Sequence, residues 1–497
     1  MGRQRCRSST DAPGAIGLAV PLSAAWLPLL APLLAAGLDA AVGDPRRWPH
    51  PVQLMGAAIQ FLRQPLEHWA GDRPRRLRLA GLLITVTLLA ASLLAGLGLE
   101  RLAAWGWRQG PSIGLISSLP LLLGLASALA GRSLEQAVRQ VLELLPADSA
   151  HCPAQPRDAL AGRPASDQPA AAPAGPAART AGARLEASVG QNCELEVSAA
   201  PGRSPEASGE PGRELEPARQ QLAWIVGRDT EALNEPEILR ALAETASENA
   251  VDGLFAPLFW MLVGSALALV ALSPAAGGVA PAAAPDGPRA ERLAVPRARP
   301  LSLPGSRTLA LPPSLPQGPH LAPPPSLPLP PLRSLPGALL PGPLSLAWGF
   351  KAASTLDSML GYRRGRLRWL GTAGARLDDL LTWIPCRLVA LTLPVAAGRP
   401  RQTWSLFRQA QKQGRPDPSP NAGVSQAAYA LAANVRLGGV NHYGGEPRAK
   451  PLLAADQPAA DRSAVERILA LNRSLLRWWL LLWMLVGGAL CWRLGRL

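Results

Sequence analysis

The sequence contains very little lysine: Lys351, Lys412 and Lys450 are the only three, although lysine and arginine together number 50. None of the three follows a glycine, which excludes a GxxxxGK[ST] phosphate-binding loop, and no HExxH zinc motif occurs. The five cysteines are scattered without a CxxC pair, so neither a zinc site nor a disulfide framework is indicated. Any nucleotide or metal chemistry in this chain must therefore use another architecture.

The charge balance is strongly basic, with a formal net charge of +15. In a soluble protein this would suggest nucleic-acid binding, but the arginines are not interleaved with aromatic residues that could stack on bases. Many of them follow the first apolar run, as the positive-inside rule expects of a cytoplasmic loop. These residues are Arg46, Arg47, Arg63, Arg73, Arg75, Arg76 and Arg78. We therefore expect a membrane-surface loop and no nucleic-acid partner.

Several apolar runs are long enough to cross a bilayer, which takes about 20 helical residues. Leu79–Leu99 and Leu254–Leu272 carry no charge. Further candidates are Ala24–Val42, Ile113–Ala130 and Leu475–Cys491. A soluble protein of this size could not cover so many apolar helices with its polar remainder. The sequence therefore predicts an all-α, polytopic integral membrane protein, surrounded by lipid in the cell (inner) membrane.

Two stretches differ in composition from the rest of the chain. Residues 147–213 and 273–343 are dominated by Ala, Pro, Gly, Ser and Arg, and we expect them to be disordered insertions because they cannot bury enough apolar area to offset chain entropy. The chain then divides into six segments: N-terminal spans at 1–146, an insertion at 147–213, an acidic helix with a span at 214–272, a Pro-rich insertion at 273–343, a motif-rich core at 344–455 and a C-terminal span at 456–497.

The topology after the second insertion leaves one question open. Leu254–Leu272 and Pro343–Phe350 are expected to form a helical hairpin with the insertion at its tip. Leu380–Ala397 is apolar but carries Arg387 beside Pro385, so a span and an interfacial or re-entrant helix both remain possible interpretations.

A helix that begins at Glu235-Pro236 is the most informative single element. Glu244, Glu248 and Asp252 follow Arg240 at intervals of four, which places all four on one helix face. One interpretation is a solvated face with an Arg240–Glu244 ion pair. Against it, carboxylates four residues apart repel, and acids near a helix C-terminus oppose the macrodipole. The second interpretation is that Mg²⁺, or a basic residue from another segment, lies against this face.

Compact polar strings flank the apolar runs, and their order along the chain is specific. They are GDP at 43–45 with HPV at 50–52, VGRDT at 226–230, ETASENAVDGLFAPLFW at 244–260, STLDSMLGY at 354–362, ARLDD at 375–379, SPNAG at 419–423 and VRLGG at 435–439. Together they resemble the adenosylcobinamide-phosphate synthase family, membrane proteins often called CbiB or CobD. The resemblance covers about 40–146, 215–272 and 343–455, and departs from the family pattern at Ser354, Thr382 and Cys386.

The resemblance implies a carbon–nitrogen ligase of cobalamin biosynthesis. Its substrates would be a corrinoid, whose propionate carboxylate is joined to the amine of aminopropanol phosphate or a close relative, with ATP as co-substrate and Mg²⁺ as cofactor. Other enzymes of the cobalamin pathway are possible partners. Since a carboxylate must be activated before an amide forms, such a site calls for carboxylates that hold Mg²⁺ and arginines that clamp phosphate.

The strings supply candidates for each of these roles. The catalytic candidates are Glu244, Glu248, Asp252, Asp357 and His50; the metal candidates are Asp44, Glu248, Asp252 and Asp379, with Asp378 as a further carboxylate; the substrate-binding candidates are Arg228, Arg376, Arg436, Asn249, Ser419 and Asn421. Simpler roles stay open for several of them. Asp44 before Pro45 could end a helix, Ser419 and Asn421 could form only a turn, and His50 could be a hydrogen-bonded structural residue instead of a general base.

A non-enzymatic membrane protein is the alternative function. A transporter places its acids within spans near the bilayer midplane, whereas here they cluster at span ends, which favours chemistry at a membrane surface. A signalling relative on the same scaffold, and an interaction scaffold built on the Pro-rich insertions, are the other readings.

Overall fold

The computed structural model describes residues 23–43, 50–146, 213–271 and 340–493. Of these, residues 23–43, 50–146, 213–269 and 341–493 belong to one compact unit. Nearly all of the two predicted insertions, and Asp44, lie outside the described residues, so the expectations for them stay predictions.

The described chain is mostly helical, and the helices are numbered here in chain order. They are α1 (Ser23–Val42), α2 (Pro51–Ala70), α3 (Pro74–Gln109), α4 (Pro111–Ala128), α5 (Gly131–Glu143), α6 (Glu216–Ala223), α7 (Glu235–Ala250), α8 (Ala256–Ala271), α9 (Pro343–Leu360), α10 (Leu367–Leu370), α11 (Thr372–Ala396), α12 (Thr403–Gly414), α13 (Ala422–Ala433) and α14 (Arg462–Arg493). The strands β1 (Leu437–Tyr443) and β2 (Glu446–Leu453) lie between α13 and α14.

Five helical stretches are long and apolar enough to cross a membrane. They are Pro74–Gln109, Pro111–Ala128, Glu235–Ala271, Thr372–Ala396 and Arg462–Arg493. Within α3, Ile84 and Leu88 are buried while Leu82, Val86 and Leu94 are exposed, so apolar side chains face both the protein and the outside, as in a lipid-facing helix. The predicted all-α, polytopic membrane class is confirmed. Residues 380–396, where the sequence allows either a span or an interfacial helix, lie within one of the five.

Helices α3 and α9 pack against each other in antiparallel directions. A Cβ atom on Gly96 of α3 would lie 2.6 Å from the Cα of Ser345, near the start of α9. At the other end, Leu360 shares a buried cluster with Leu77. The C-terminus of α9 therefore lies at the same end of the bundle as the arginine-rich start of α3. Gly264 of α8 also lies close to the Gly342 carbonyl, just before α9, as the predicted hairpin requires.

Helix α7 begins where the sequence predicts and continues into α8 through a π turn. Asn234 caps α7 by accepting a hydrogen bond from the Glu237 amide, and the Glu237 carboxylate accepts one from the Asn234 amide. Residues Val251–Phe255 then form a π-helical turn. Such turns occur mostly as single-turn interruptions of α-helices, frequently at functional sites, and this one contains Asp252.

The antiparallel hairpin of β1 and β2 was not predicted. Its tip is a two-residue loop, because Tyr443 pairs with Glu446, and both intervening glycines have positive φ (63° and 83°). The Asp229 carboxylate accepts hydrogen bonds from the amides of Gly444 (3.0 Å) and Gly445 (2.8 Å), which lower the pKa of Asp229. The VGRDT string thus fixes the hairpin tip.

Candidate active site

The innermost contact of the acidic face is a buried ion pair. Glu244 is 1% exposed and pairs with the Arg228 guanidinium. Its other oxygen accepts a hydrogen bond from the Gly438 amide (2.9 Å), and Arg228 also donates to Asn441 Oδ1 (2.7 Å). The solvated-face interpretation is therefore wrong for Glu244, because a basic residue from another segment lies against it. This contact ties the 226–230 loop, α7 and β1 together.

Arg240 also has a different partner from the one that its spacing suggests. Its guanidinium donates to the carbonyls of Gly438 and Val440, both at 2.9 Å. The Arg240–Glu244 ion pair of the solvated-face interpretation is thus replaced by contacts with the hairpin.

Glu248, one turn further, faces a second basic residue. Its carboxylate accepts a 2.6 Å hydrogen bond from Gln426 of α13 and lies in electrostatic range of Lys450 on β2. Lys450 Nζ is 3.9 Å from Asp417. Burial alone would lower the pKa of the Lys450 ammonium, but the carboxylates of Glu248 and Asp417 outweigh it and raise the pKa. The Lys450 side chain is therefore a cation held against the acidic face.

Four aspartates gather at the next turn. Asp252 interacts electrostatically with Asp378 of α11, with Asp357 of α9 and with Lys351 of α9. Asp357 in turn interacts with Asp379. We call Asp252, Asp357, Asp378 and Asp379 the acidic cluster.

Two buried oxygens, one in the acidic cluster and one beside it, lack a hydrogen-bond partner among the described residues. Asp378 Oδ1 makes no hydrogen bond to any of the residues that the structure describes, and neither does Thr382 Oγ1, one helical turn further along α11. Thr382 is 1% exposed. Because buried polar groups are nearly always hydrogen-bonded, these two atoms indicate a place for a cation, a water molecule or a substrate group.

Asp357 lies outside the five candidate spans, and its environment disfavours ionisation. Burial, and then the charge of Asp379, raise the pKa of Asp357 from 3.8 to about 6, although Arg363 acts in the opposite direction. Near neutral pH, the ionised form of this carboxylate is therefore unfavourable in free energy, and a bound cation would reduce that penalty.

The SPNAG turn is fastened to α11 beside the acidic cluster. Arg387 donates to the Asn421 side-chain oxygen and to the Pro420 carbonyl, and Asn421 donates to the Asp379 carbonyl (2.9 Å). Ser419 Oγ accepts hydrogen bonds from the amides of Asn421 and Ala422. The turn role left open for Ser419 and Asn421 is therefore present, and it positions the backbone of Asp379.

Other candidates are placed elsewhere or carry no contact that assigns a role. His50 caps α2, where its Nδ1 accepts a 3.3 Å hydrogen bond from the Val52 amide, which is the structural role left open for it. Arg376, Arg436 and Asn249 are exposed. Asp44, a predicted metal ligand, lies outside the described residues.

Comparison with known proteins decides the family. The model of the CobD/CbiB protein family matches residues 32–170, 204–275 and 335–472. The chain belongs to this family. The matched ranges cover most of the chain and confirm the resemblance carried by the polar strings. They also reach into the predicted insertion at 147–213 from both sides and leave 171–203 unmatched.

Curated members of the CobD/CbiB family are similar over most of their length. The cobalamin biosynthesis protein CobD of Synechocystis sp. is 29% identical over 92% of this chain and 91% of the relative. CobD of Photorhabdus laumondii is 27% identical over 84% and 85%, and CbiB of Salmonella choleraesuis is 26% identical over 86% and 88%. No solved structure matches the chain. These relatives place the protein in cobalamin biosynthesis.

Two residues of this CobD/CbiB site were missed by the sequence analysis. Lys351 and Lys450, two of the three lysines in the chain, both face the acidic residues. Their rarity was a usable signal. In a chain that uses arginine almost everywhere, a retained lysine marks a place where a compact, strongly hydrated ammonium differs from a planar guanidinium.

The donor set suits a magnesium ion in part. Within residues 23–43, 50–146, 213–271 and 340–493, no three His, Cys, Asp or Glu side chains converge as a ready-made metal site. Mg²⁺, however, is usually held by one or two carboxylates together with substrate phosphates. Asp378, with its unpartnered oxygen, and the neighbouring Asp252 are hard oxygen donors of the type it prefers. The arrangement therefore fits a Mg²⁺ ion completed by a phosphate-bearing substrate.

Proposed function

We propose that this protein catalyses ATP-dependent amide formation between the propionate carboxylate of adenosylcobyric acid and the amine of aminopropanol phosphate, or a close relative, giving adenosylcobinamide phosphate. The observation that carries the proposal is the acidic cluster. It brings four aspartates, one of them with an unpartnered oxygen, close to Lys351, while Glu248 one turn away faces Lys450, in a chain that belongs to a cobalamin biosynthesis family. Amide formation requires activation of the carboxylate by phosphoryl or adenylyl transfer from ATP, so the site must handle phosphate oxygens and a divalent cation together.

Each set of residues has a proposed part in this reaction. Asp378 and Asp252 would hold Mg²⁺, which neutralises developing charge on the transferred phosphoryl or adenylyl group. The Lys351 and Lys450 ammonium groups would orient the anionic substrates, since each is a point charge already held against carboxylates. Glu248, which is paired with Gln426, would accept a proton as the amine attacks. Arg228 and Glu244 are committed to each other and would hold the hairpin.

The end of the bundle at which Asp357 lies supports this chemistry. The C-terminus of α9, which carries Asp357, lies at the same end of the bundle as the arginine-rich start of α3. By the positive-inside rule this end faces the cytoplasm, where ATP is present. We therefore propose that the protein acts at the cytoplasmic face of the inner membrane, where it could also meet other enzymes of the pathway.

The same placement disfavours a transporter. The acids of a transporter line a path near the bilayer midplane, whereas Asp357 and Asp378 lie near the end of α9 and the start of α11. A strain that lacks this biosynthetic step separates the two functions. We expect the chain to restore growth on cobyric acid, and the purified protein to form adenosylcobinamide phosphate from adenosylcobyric acid, aminopropanol phosphate and ATP. A transporter could not restore growth on cobyric acid, because import does not form the missing amide, so failure of both rescue and turnover would favour the transporter.

The first prediction concerns the unpartnered oxygen of the acidic cluster. Asp378→Asn removes a charge while the shape is kept, so we expect product formation to fall by at least about 100-fold, and the Mg²⁺ concentration for half-maximal activity to rise. The loss follows because a neutral amide is a weaker ligand for a hard cation than a carboxylate. The measurement is product formation by the purified variant across a Mg²⁺ titration.

Asp456→Asn is the matched control, because Asp456 is exposed and has no side-chain partner in the described part of the chain. It should leave both quantities unchanged. Wild-type turnover and Mg²⁺ dependence in Asp378→Asn would remove Asp378 from the metal site. An unchanged unfolding temperature in both variants would show that the effect is on chemistry.

A further inference from the structure

A basic pocket that shares no residue with the acidic cluster lies at the N-terminus of α3. It has a volume of about 530 Å³ and is lined by Arg73, Pro74, Arg75, Arg76, Arg78 and Trp369. All four arginines are exposed. No role in the proposed reaction has been given to any of these residues.

The positive charge of this pocket lies at the end of α3 that already carries the partial positive charge of the helix dipole. The first turn of α3 contains no acidic residue, and its N-cap residue Arg73 makes no side-chain hydrogen bond to the helix. A helix N-terminus carries a partial positive charge and unpaired amide groups, so arginines there are unfavourable unless an anion is bound. The nearby Asp72 does not neutralise them, because its carboxylate pairs with Arg366 at 2.6 Å. The start of α3 is therefore a place where an anion would be stabilised by charge and by free amides together.

Tryptophan rings contact two of the four pocket arginines, Arg76 and Arg78. The Arg78 guanidinium lies 4.5 Å from the ring centroid of Trp369, and Arg368 lies 5.0 Å from the same ring. Arg76 lies 5.6 Å from the ring centroid of Trp69. Such cation–π contacts order the guanidinium groups before any ligand arrives. Tryptophan is also the residue enriched where a membrane helix meets the headgroup region.

We infer that this basic pocket binds the phosphate headgroup of an anionic phospholipid. Basic pockets at the cytoplasmic ends of membrane helices recognise such headgroups. Immediately beyond the pocket, Leu79, Leu82 and Leu83 of the membrane-spanning helix are 45–48% exposed, which offers an apolar surface for the acyl chains. A free phosphate ester could use the arginines but not this apolar surface, so the lipid fits more of the site. The inference is independent of the proposed ligase activity.

Lipid binding by the full-length protein tests this inference directly. Protein purified in a neutral detergent is titrated with dioctanoyl-phosphatidylglycerol or with dioctanoyl-phosphatidylcholine, and the shift of the unfolding temperature gives the apparent affinity. We expect phosphatidylglycerol to stabilise the wild type more than phosphatidylcholine does. In the triple variant Arg75→Gln, Arg76→Gln, Arg78→Gln its affinity should fall by about 100-fold, and in Arg78→Gln alone by about five-fold.

The matched control removes three arginines from another exposed surface. Arg401, Arg408 and Arg415 are exposed, and Arg408 also lies 4.9 Å from the centroid of a tryptophan ring. Their replacement by Gln lowers the net charge by the same amount and should leave the affinity for phosphatidylglycerol unchanged. An equal loss in the control would show that the effect is one of total charge and would overturn the inference.

Three further results would also overturn it. Equal stabilisation by phosphatidylglycerol and phosphatidylcholine would mean that the headgroup charge is not recognised. Wild-type affinity in the triple variant would mean that the arginines are not the site. Stabilisation by glycerol 1-phosphate at the same concentration as by phosphatidylglycerol would assign the pocket to a soluble phosphate ester. Without lipid, the triple variant should be at least as stable as wild type, because it removes like charges from a helix N-terminus.

Discussion

At the scale of single residues, Asp357 gives a prediction about pH. Its pKa is raised from 3.8 to about 6 by burial and by the charge of Asp379. A carboxyl group with a raised folded-state pKa contributes its full stability below the unfolded value, and this contribution is lost as the pH rises towards about 6. The difference amounts to about 3 kcal/mol. Asp357→Asn cannot ionise, so it should be more stable than wild type above pH 6 and equally stable near pH 3.8.

The measurement is the free energy or temperature of unfolding between pH 4 and pH 8 in neutral detergent, with EDTA to exclude bound cations. Asp456→Asn again serves as the control, since an exposed aspartate should leave the slope of stability against pH unchanged. A wild-type slope in Asp357→Asn would show that Asp357 is solvated, and that its carboxylate experiences no unfavourable field from the cluster.

The partners of Arg240 and Glu244 illustrate what sequence spacing can and cannot establish about a site. The four-residue spacing correctly placed Glu244, Glu248 and Asp252 on one face, because helix geometry is local. It also correctly required positive charge against that face. It could not identify Arg228, Lys450 and Lys351 as the sources, since these lie 16 to more than 200 positions away along the chain and meet the face only through tertiary packing.

At the scale of elements, a half-buried glutamate holds the start of α9. The Glu100 carboxylate of α3 accepts hydrogen bonds from the amides of Gly342 (3.0 Å), Leu344 (2.8 Å) and Ser345 (3.0 Å), and from the Ser345 hydroxyl (2.9 Å). It therefore acts as an N-terminal cap supplied by another helix. Since α9 carries Lys351 and Asp357, Glu100 is a positioning residue for the acidic cluster.

We predict that Glu100→Ala destabilises the protein by about 3 kcal/mol or more, because it leaves three buried amides without an acceptor. Activity should fall in the variant, and Glu100→Gln should recover part of the stability because one amide oxygen remains. Thermal unfolding and product formation are the two measurements. Glu143→Ala is the control, since Glu143 is exposed on α5. Equal stability of Glu100→Ala and the control would refute the capping role.

The hairpin shows why one element was absent from the predicted fold. Gly438 and Gly439 have φ values of 88° and 104°, and glycine within a strand removes side chains that sequence patterns rely on. A two-stranded hairpin is marginal alone in water. Here Arg240 and Asp229 supply the missing support through hydrogen bonds to its backbone. Its existence thus depends on contacts between segments that no local pattern reports.

At the scale of the whole molecule, the membrane class was predictable because long apolar runs are a local signal and the bilayer fixes their length. How α9 packs was less accessible. The sequence suggested only a short apolar piece at residues 343–350, whereas the structure has a helix of 18 residues that continues through the STLDSM string. Asp357, near the end of this helix, belongs to the acidic cluster, and a hydropathy window cannot detect contacts with other segments.

The last prediction concerns the segment between α5 and α6, most of which lies outside the described residues. The two helices that flank it are fixed without it: Gln221 donates a 3.0 Å hydrogen bond to Gln140, and Leu142 and Leu222 share one buried core. Residues 171–203 are also unmatched by the family model. Deletion of 171–203, and of the longer stretch 150–211, should therefore leave membrane insertion and product formation unchanged. Shortening the connection should stabilise the fold by on the order of 2 kcal/mol for the longer deletion, because loop closure costs less entropy in a shorter chain.

Membrane fractionation, unfolding temperature and turnover of both deletions are compared with wild type and with a variant in which residues 150–211 are scrambled at constant composition. If the short deletion is active and the long deletion is inactive, a functional element lies at 150–170 or 204–211. If both deletions are inactive and the scrambled variant is active, the length of the segment matters.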